Sequence, residues 1–128
     1  MIFKQTWVGV SDNTNVKWLQ IFHLYKGFHR KVTRVGFFVK GTARVVEPPK
    51  LEYKGFKRKF NKKGDICRGL IIRNKYNIVK QDGAVAKFKC NNVILLKKKN
   101  DVKSKYLYGP IPTQIKRKKF LNLFKKII

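Results

Sequence analysis

The chain has 128 residues and a mass of 15.1 kDa, near the common size of one domain. Hydrophobic residues make up 43%, enough for a core, which argues against wholesale disorder. Lys and Arg number 32 against 6 Asp and Glu, a formal net charge of +26. That balance points to a permanent polyanionic partner, nucleic acid first and an anionic membrane surface second.

Taken in order, Phe3 to Val10 alternates as a first strand, and Ser11 to Asn15 is a turn cluster whose Asp and Asn side chains bond nearby backbone. Val16 to Tyr25 is a second strand. It sets Val16, Trp18, Gln20, Phe22 and Leu24 against Lys17, Leu19, Ile21, His23 and Tyr25, and makes a hairpin with the first. Lys26 to Arg34 is a basic, Gly-containing loop suited to phosphate contact. Val35 to Val46 is a third strand, in which Gly36 or Gly41 marks a bulge.

Glu47-Pro48-Pro49 ends that strand, because Pro removes ladder donors. Lys50, Lys54, Lys57, Arg58, Lys59, Lys62 and Lys63 follow, with Leu51, Tyr53, Phe56 and Phe60 interleaved among them. Rings between cations suit a flap on folded RNA, where rings stack and cations meet phosphate. After a Lys63-Gly64-Asp65 turn, Ile66 to Asn74 is a fourth strand.

Val79 to Leu96 is the stretch on which the chain is organised. Asp82-Gly83 is a tight-turn signal. Ala84, Ala86, Phe88 and Cys90 follow on one strand face, predicted to point inward. Val93 to Leu96 is an apolar run suited to a strand buried on both faces. Cys67 and Cys90 lack metal spacing and read as small core residues in a reducing compartment.

Lys97 to Asp101 is a polar loop, and Lys103 to Pro112 an extended segment ending in a Gly-Pro turn. From Thr113 to Ile128 one or two short helices are predicted, with Pro112 at the start. Phe120, Leu123, Phe124, Ile127 and Ile128 form their apolar stripe, which suits packing on a barrel and also resembles a membrane-surface helix. The expected architecture is mainly β: a small five-stranded β-barrel with a projecting basic ribbon and short C-terminal helices. It forms one domain over 1–128, with the barrel over about 1–110 and the helical segment over about 111–128.

No catalytic constellation is visible. His23 and His29 are the only histidines, the carboxylates are dispersed, and no glycine motif cradles phosphate. No enzyme activity, metal site or cofactor is expected. No run of 18 apolar residues exists, so membrane insertion is not expected. The first residues lack the shape of a signal or transit peptide, so the protein is expected to act where it is translated.

The ordered set Gln5-Thr6, Asp12-Asn13-Thr14, Lys63-Gly64-Asp65-Ile66, Asp82-Gly83 with Phe88, Asn92 before Val93-Ile94-Leu95-Leu96, and Tyr108-Gly109-Pro110-Ile111 resembles the universal large-subunit ribosomal protein family numbered fourteen. The resemblance implies a structural constituent of the large ribosomal subunit. Such a protein binds large-subunit rRNA, reaches small-subunit rRNA across an intersubunit bridge, and neighbours other large-subunit proteins. It also implies docking of a ribosome-silencing factor near Ser104-Lys105 and the last helix.

The residues expected at rRNA are Thr6, Asn13, Lys26, His29, Arg30, Lys31, Arg34, Arg44, Lys54, Lys57, Arg58, Lys59, Lys62, Lys63, Arg73, Lys75 and Lys80. Those expected at the bridge or factor surface are Ser104, Lys105, Lys116, Arg117, Lys118 and Lys119. Asn15 stands where the family usually has Gly, and the segment between Pro49 and Lys62 is longer than usual. The abundance of Lys, Asn, Ile and Phe suggests an AT-rich coding genome. With no transit peptide, a mitochondrial, organelle-encoded origin is the first expectation and the bacterial cytoplasm the second. A free nucleic-acid-binding translation factor or architectural protein, or a cationic membrane-surface protein, are the other function classes.

Overall fold

A computed structural model describes residues 2–25, 27, 29–48, 61–104, 106–115 and 117–128. Its centre is a closed barrel of five strands: β2 (Trp7–Val10), β3 (Val16–Leu24), β5 (Phe38–Val46), β6 (Ile66–Arg73) and β9 (Asn92–Leu96). Neighbours pair in that order and antiparallel, and a parallel pairing of β2 with β9 closes the ring. Closure removes free sheet edges, which otherwise invite pairing with other chains. Two small sheets stand beside the barrel. One joins β1 (Ile2–Phe3) to β4 (Val32–Thr33); the other joins β7 (Ile78–Val79) to β8 (Val85–Ala86).

The predicted first strand is two strands. Gln5 sits at φ 70, in the left-handed region, and breaks the extended run. In β3 the predicted two-residue alternation fails. Val16, Leu19, Ile21 and Leu24 are the buried positions, because the pairing with β5 shifts register three times. One shift faces Gly41. A Cβ there would lie 2.6 Å from the Gln20 carbonyl oxygen, so the close approach of β3 and β5 requires glycine.

Strand β9 is the apolar run expected, with Val93, Ile94, Leu95 and Leu96 all buried. Strand β6 is likewise buried from Gly69 to Arg73. Both contribute to a single hydrophobic cluster that also takes in Ile111, Ile115, Phe120 and Phe124 of the C-terminal segment. Phe120 meets Phe38 edge to face, with centroids 6.4 Å apart.

The segment before β9 departs from expectation. The Asp82-Gly83 turn forms, with Gly83 at φ 86 and the Ala84 N–H donating to Asp82 Oδ1 (3.1 Å). The strand after it spans only Val85–Ala86, because β7 offers only two residues to pair with. Ala86 is buried, Phe88 is half-buried and outside the core cluster, and Ala84 and Cys90 are exposed. Cys67 is buried as predicted, and burial pushes its thiol pKa up.

The C-terminal segment holds a single short helix among the described residues, α1 (Lys118–Leu121). Phe120 and Phe124 pack inward, but Leu123 is 51% and Ile127 48% exposed. The predicted stripe ends early because the chain leaves the helix. Ile127 bridges Ile111 in parallel, and the Ile128 N–H donates to the Ile111 carbonyl (2.9 Å).

Asn15 ties down the start and end of the long 48–61 excursion. Its Nδ2 donates to the carbonyls of Asn61 (2.7 Å) and Glu47 (3.3 Å), and its Oδ1 accepts from the Asn61 N–H (3.2 Å). Glycine has no side chain to do this. The flap residues 49–60 lie outside the described residues.

Candidate nucleic-acid interface

The barrel register assembles polar and basic side chains that are distant in sequence. His23 lies opposite Lys40 across β3 and β5, and Lys40 lies opposite Arg68 across β5 and β6. Residues directly opposite share a sheet face, so the three form one row on the outside of the barrel, while Val39 and Leu24 beside them point inward. The row continues. Arg68 donates to the Lys98 carbonyl (3.0 Å), and its guanidinium lies 5.5 Å from the Tyr25 ring centre. Lys97, Lys98 and Lys99 are exposed on the turn that follows β9. Lys119 Nζ then donates to the Asn100 carbonyl (3.3 Å) on the same turn and lies 3.9 Å from Asp101. The result is a band of cations from Lys40 on β5 through Arg68 and the Lys97–Lys99 turn to α1, with His23 of β3 at its edge. Among the described residues it meets one carboxylate, at the distant edge of ion-pair range.

His23, Lys40 and Arg68 escaped the sequence reading, because single residues in separate strands carry no local charge run and only the pairing register lines them up. Lys97–Lys99 were legible only as part of a polar loop; the Arg68 bond to the Lys98 carbonyl joins them to the row.

A second group surrounds the loop before β5. Arg30, Lys31 and Arg34 fall together there. Arg30 Nε donates to the Val32 carbonyl (3.0 Å), and its guanidinium lies 4.4 Å from the Phe37 ring centre. Such stacking fixes a guanidinium in place while leaving its edge for an anion. His29, Lys31 and Arg34 are exposed. Arg44 is exposed on β5 and donates to Gln20 Oε1 (2.7 Å). Lys62 and Lys63 are exposed on the turn entering β6, and Lys75 is exposed beyond its end. Lys80 is half-buried beside the Asp82-Gly83 turn. Thr6 is half-buried between β1 and β2, where its carbonyl accepts from the Ile21 N–H (3.0 Å). Lys26, Lys54, Lys57, Arg58, Lys59, Lys105 and Lys116 lie outside the described residues.

Arg73 is a correction. It was expected at a phosphate, but it is 6% exposed at the end of β6. Its Nη1 donates to the carbonyls of Tyr108 (2.8 Å) and Pro110 (3.0 Å), and its Nη2 donates to Ser11 Oγ. The Asn92 amide oxygen, turned towards it, accepts from Nη2 (2.7 Å) and Nε (3.2 Å). Neutral oxygens satisfy the guanidinium, and burial lowers its pKa. Arg73 therefore clamps the 106–110 segment to the barrel. Gly109, at φ 81, lies against that guanidinium with no room for a Cβ.

Asn13 and Ser104, expected on different surfaces, are brought together. The Asn13 N–H donates to Ser104 Oγ (3.2 Å), and Asn13 Oδ1 accepts from the Tyr108 hydroxyl (3.3 Å). Neighbouring Asp12 is buried. It accepts from the Leu95 N–H (2.9 Å) and from the Thr14 N–H (3.1 Å) and hydroxyl (2.5 Å). Burial raises its pKa, against those hydrogen bonds and the nearby Lys103, which lower it.

At the C-terminal end, Arg117, Lys118 and Lys119 are exposed. The Arg117 guanidinium lies 4.5 Å from the Phe38 ring centre. Among the described residues, no group of three or more His, Cys, Asp or Glu side chains is placed to hold a metal ion.

The model of the ribosomal protein L14p/L23e family matches residues 1–127 of the chain. The chain belongs to that family. The match agrees with the ordered motifs and with the five-stranded barrel, and family membership makes the protein a structural component of the large ribosomal subunit. The place of action that follows is the ribosome, and the partners that follow for a member are rRNA and other ribosomal proteins. Two of the motif turns have physical work: Asp12 holds β9 to the Ser11–Asn15 turn, and the Tyr108-Gly109-Pro110 run supplies the acceptors and the open space for Arg73.

Proposed function

We propose that the protein binds large-subunit rRNA directly through the cation band that runs from Lys40 and Arg68 to the Lys97–Lys99 turn, with His23 beside it and with Arg30, Lys31 and Arg34 as a second contact. The observation that carries this is the alignment of band cations by strand register, on a chain with a net charge of +26. A continuous row of cations on a rigid barrel neutralises successive phosphates at low entropic cost. Members of a ribosomal family have a polyanion of this kind at hand.

The exposed Arg117, Lys118 and Lys119 support the finer reading of this end as an intersubunit bridge to small-subunit rRNA. Ser104, half-buried against Asn13, belongs with the neighbouring surface on which a silencing factor would dock. The richness in Lys, Asn, Ile and Phe supports an AT-rich coding genome, in keeping with a mitochondrial ribosome as the first reading and a bacterial one as the second.

Co-sedimentation tests the reading. The tagged protein should stay with large subunits through a moderate-salt gradient. Release at that salt marks a loosely held factor, and flotation with lipid marks a membrane-surface protein; either would overturn the proposal.

A further inference from the structure

The outer surface of β3 and β5 continues past the cation band towards the Ser11–Asn15 end of the barrel. Trp7 and Trp18 are 49% and 46% exposed there, and they are the chain's two tryptophans. The register explains their placement. Trp7 lies opposite Gln20, and Gly9 lies opposite Trp18, so the two indoles are diagonal neighbours on one face of the β2–β3 hairpin. Diagonal pairs on a sheet lie within reach of large aromatic side chains. Gly9 brings no side chain to the position facing Trp18; a Cβ there would meet the Asn92 side chain at 3.1 Å.

The next strand extends the face. Trp18 lies opposite Val45, which is 44% exposed. At the register shift between Trp18 and Leu19, the partner in β5 steps from Val45 to Ala43, so Arg44 is the extra residue. A bulge turns its residue out of the alternation. Arg44 therefore joins Val45 on the exposed side, where Gln20 holds its guanidinium through a 2.7 Å hydrogen bond. Gln20 in turn donates to Gln5 Oε1 (3.1 Å).

Two half-exposed indoles cost solvation in a protein that acts alone, and side chains of this size left open mark an interaction surface. The charge selects the partner. Among the described residues, Glu47, two positions beyond Val45, is paired with Lys17 at 3.5 Å, and the face itself carries a positioned guanidinium, that of Arg44. Flat rings next to a fixed guanidinium match a strand whose bases stack and whose phosphate is gripped.

We propose that Trp7 and Trp18 form a stacking platform for unpaired bases of an RNA strand, with Arg44 holding a phosphate of the same strand. The inference rests on the RNA-binding reading above and adds a distinct site to it, one that distinguishes single-stranded from duplex RNA.

Intrinsic fluorescence reads the site directly, because its two indoles are the only ones in the chain. The full-length protein is titrated with short oligouridylate, with an RNA duplex and with heparin, a polyanion without bases. Oligouridylate should quench the tryptophans strongly, while duplex and heparin bind with little quenching. Trp7→Leu and Trp18→Leu should each weaken oligouridylate binding by about fivefold or more. Heparin binding and the melting temperature should be unchanged, and Trp18→Phe should retain most of the affinity. Equal quenching by oligouridylate and heparin would overturn the platform alone; failure to bind any RNA would overturn the ribosomal reading too. In assembled particles, Trp7→p-benzoylphenylalanine should photocrosslink to RNA. A crosslink to protein instead would assign the face to a protein partner and refute the proposal.

Discussion

Arg73→Lys separates two roles for one residue. If Arg73 met phosphate at the surface, lysine would keep the charge and most of the function. Inside the barrel wall the outcome differs. The guanidinium serves four acceptors: the carbonyls of Tyr108 and Pro110, Ser11 Oγ and the Asn92 amide oxygen. An ammonium has three donors on a shorter, unforked head, so it leaves at least one acceptor unpaired and holds the others in poorer geometry. A buried polar group without a partner costs about 1–3 kcal/mol, and the expected total loss is about 2–3 kcal/mol. Unfolding entropy is about 2.1 cal/mol/K per residue, which over 128 residues converts that loss into a fall in Tm of about 7–11 °C. Thermal melting by circular dichroism measures it, with RNA affinity followed against salt in parallel. The salt slope should stay at its wild-type value. A Tm within 2 °C of wild type, on the order of 0.5 kcal/mol by the same conversion, combined with a shallower salt slope, would return Arg73 to the RNA surface.

Three further outcomes follow from particular contacts. Phe120→Ala, at a side chain 1% exposed, should cost about 3–5 kcal/mol in chemical denaturation, whereas half-buried Phe88→Ala should cost about 1 kcal/mol or less; the reverse order would misplace the core. Asp12 should titrate above the ordinary aspartate value of about 3.9 in carboxyl NMR. Because its folded pKa is raised, its contribution to stability is full below that value and is lost as pH rises through the elevated one, so a pKa at or below 3.9 would show that its hydrogen bonds outweigh burial. Arg117→Glu with Lys118→Glu should leave incorporation into large subunits nearly normal but weaken joining to small subunits at low magnesium, as read in gradient profiles. Failed incorporation with normal joining would place the cluster on large-subunit RNA.

What the sequence makes legible here is set by how local the signal is. Strand β9 is a continuous apolar run, and the Asp82-Gly83 turn carries its own backbone requirement, so both are visible residue by residue. The face of β3 is not. Its three register shifts turn a two-residue period into the buried series Val16, Leu19, Ile21, Leu24, and nothing in β3 alone announces what β5 does beside it. Phe120 and Phe124 follow helical spacing and do pack inward, but Ile127 answers to a backbone bridge with Ile111, sixteen positions earlier. The basic loop with Arg30, Lys31 and Arg34 was visible as a charge run. The row His23, Lys40, Arg68 exists only once three strands are paired, and the same pairing reveals that Arg73 belongs to the interior.

The most direct test of the account is a density map of the large subunit with this protein in place. The account predicts rRNA phosphates within hydrogen-bond reach of Lys40, Arg68 and the Lys97–Lys99 turn, with Arg73 enclosed by Ser11, Asn92, Tyr108 and Pro110. A map in which the Lys40–Arg68 row faces solvent or another protein while Arg73 reaches a phosphate would contradict it.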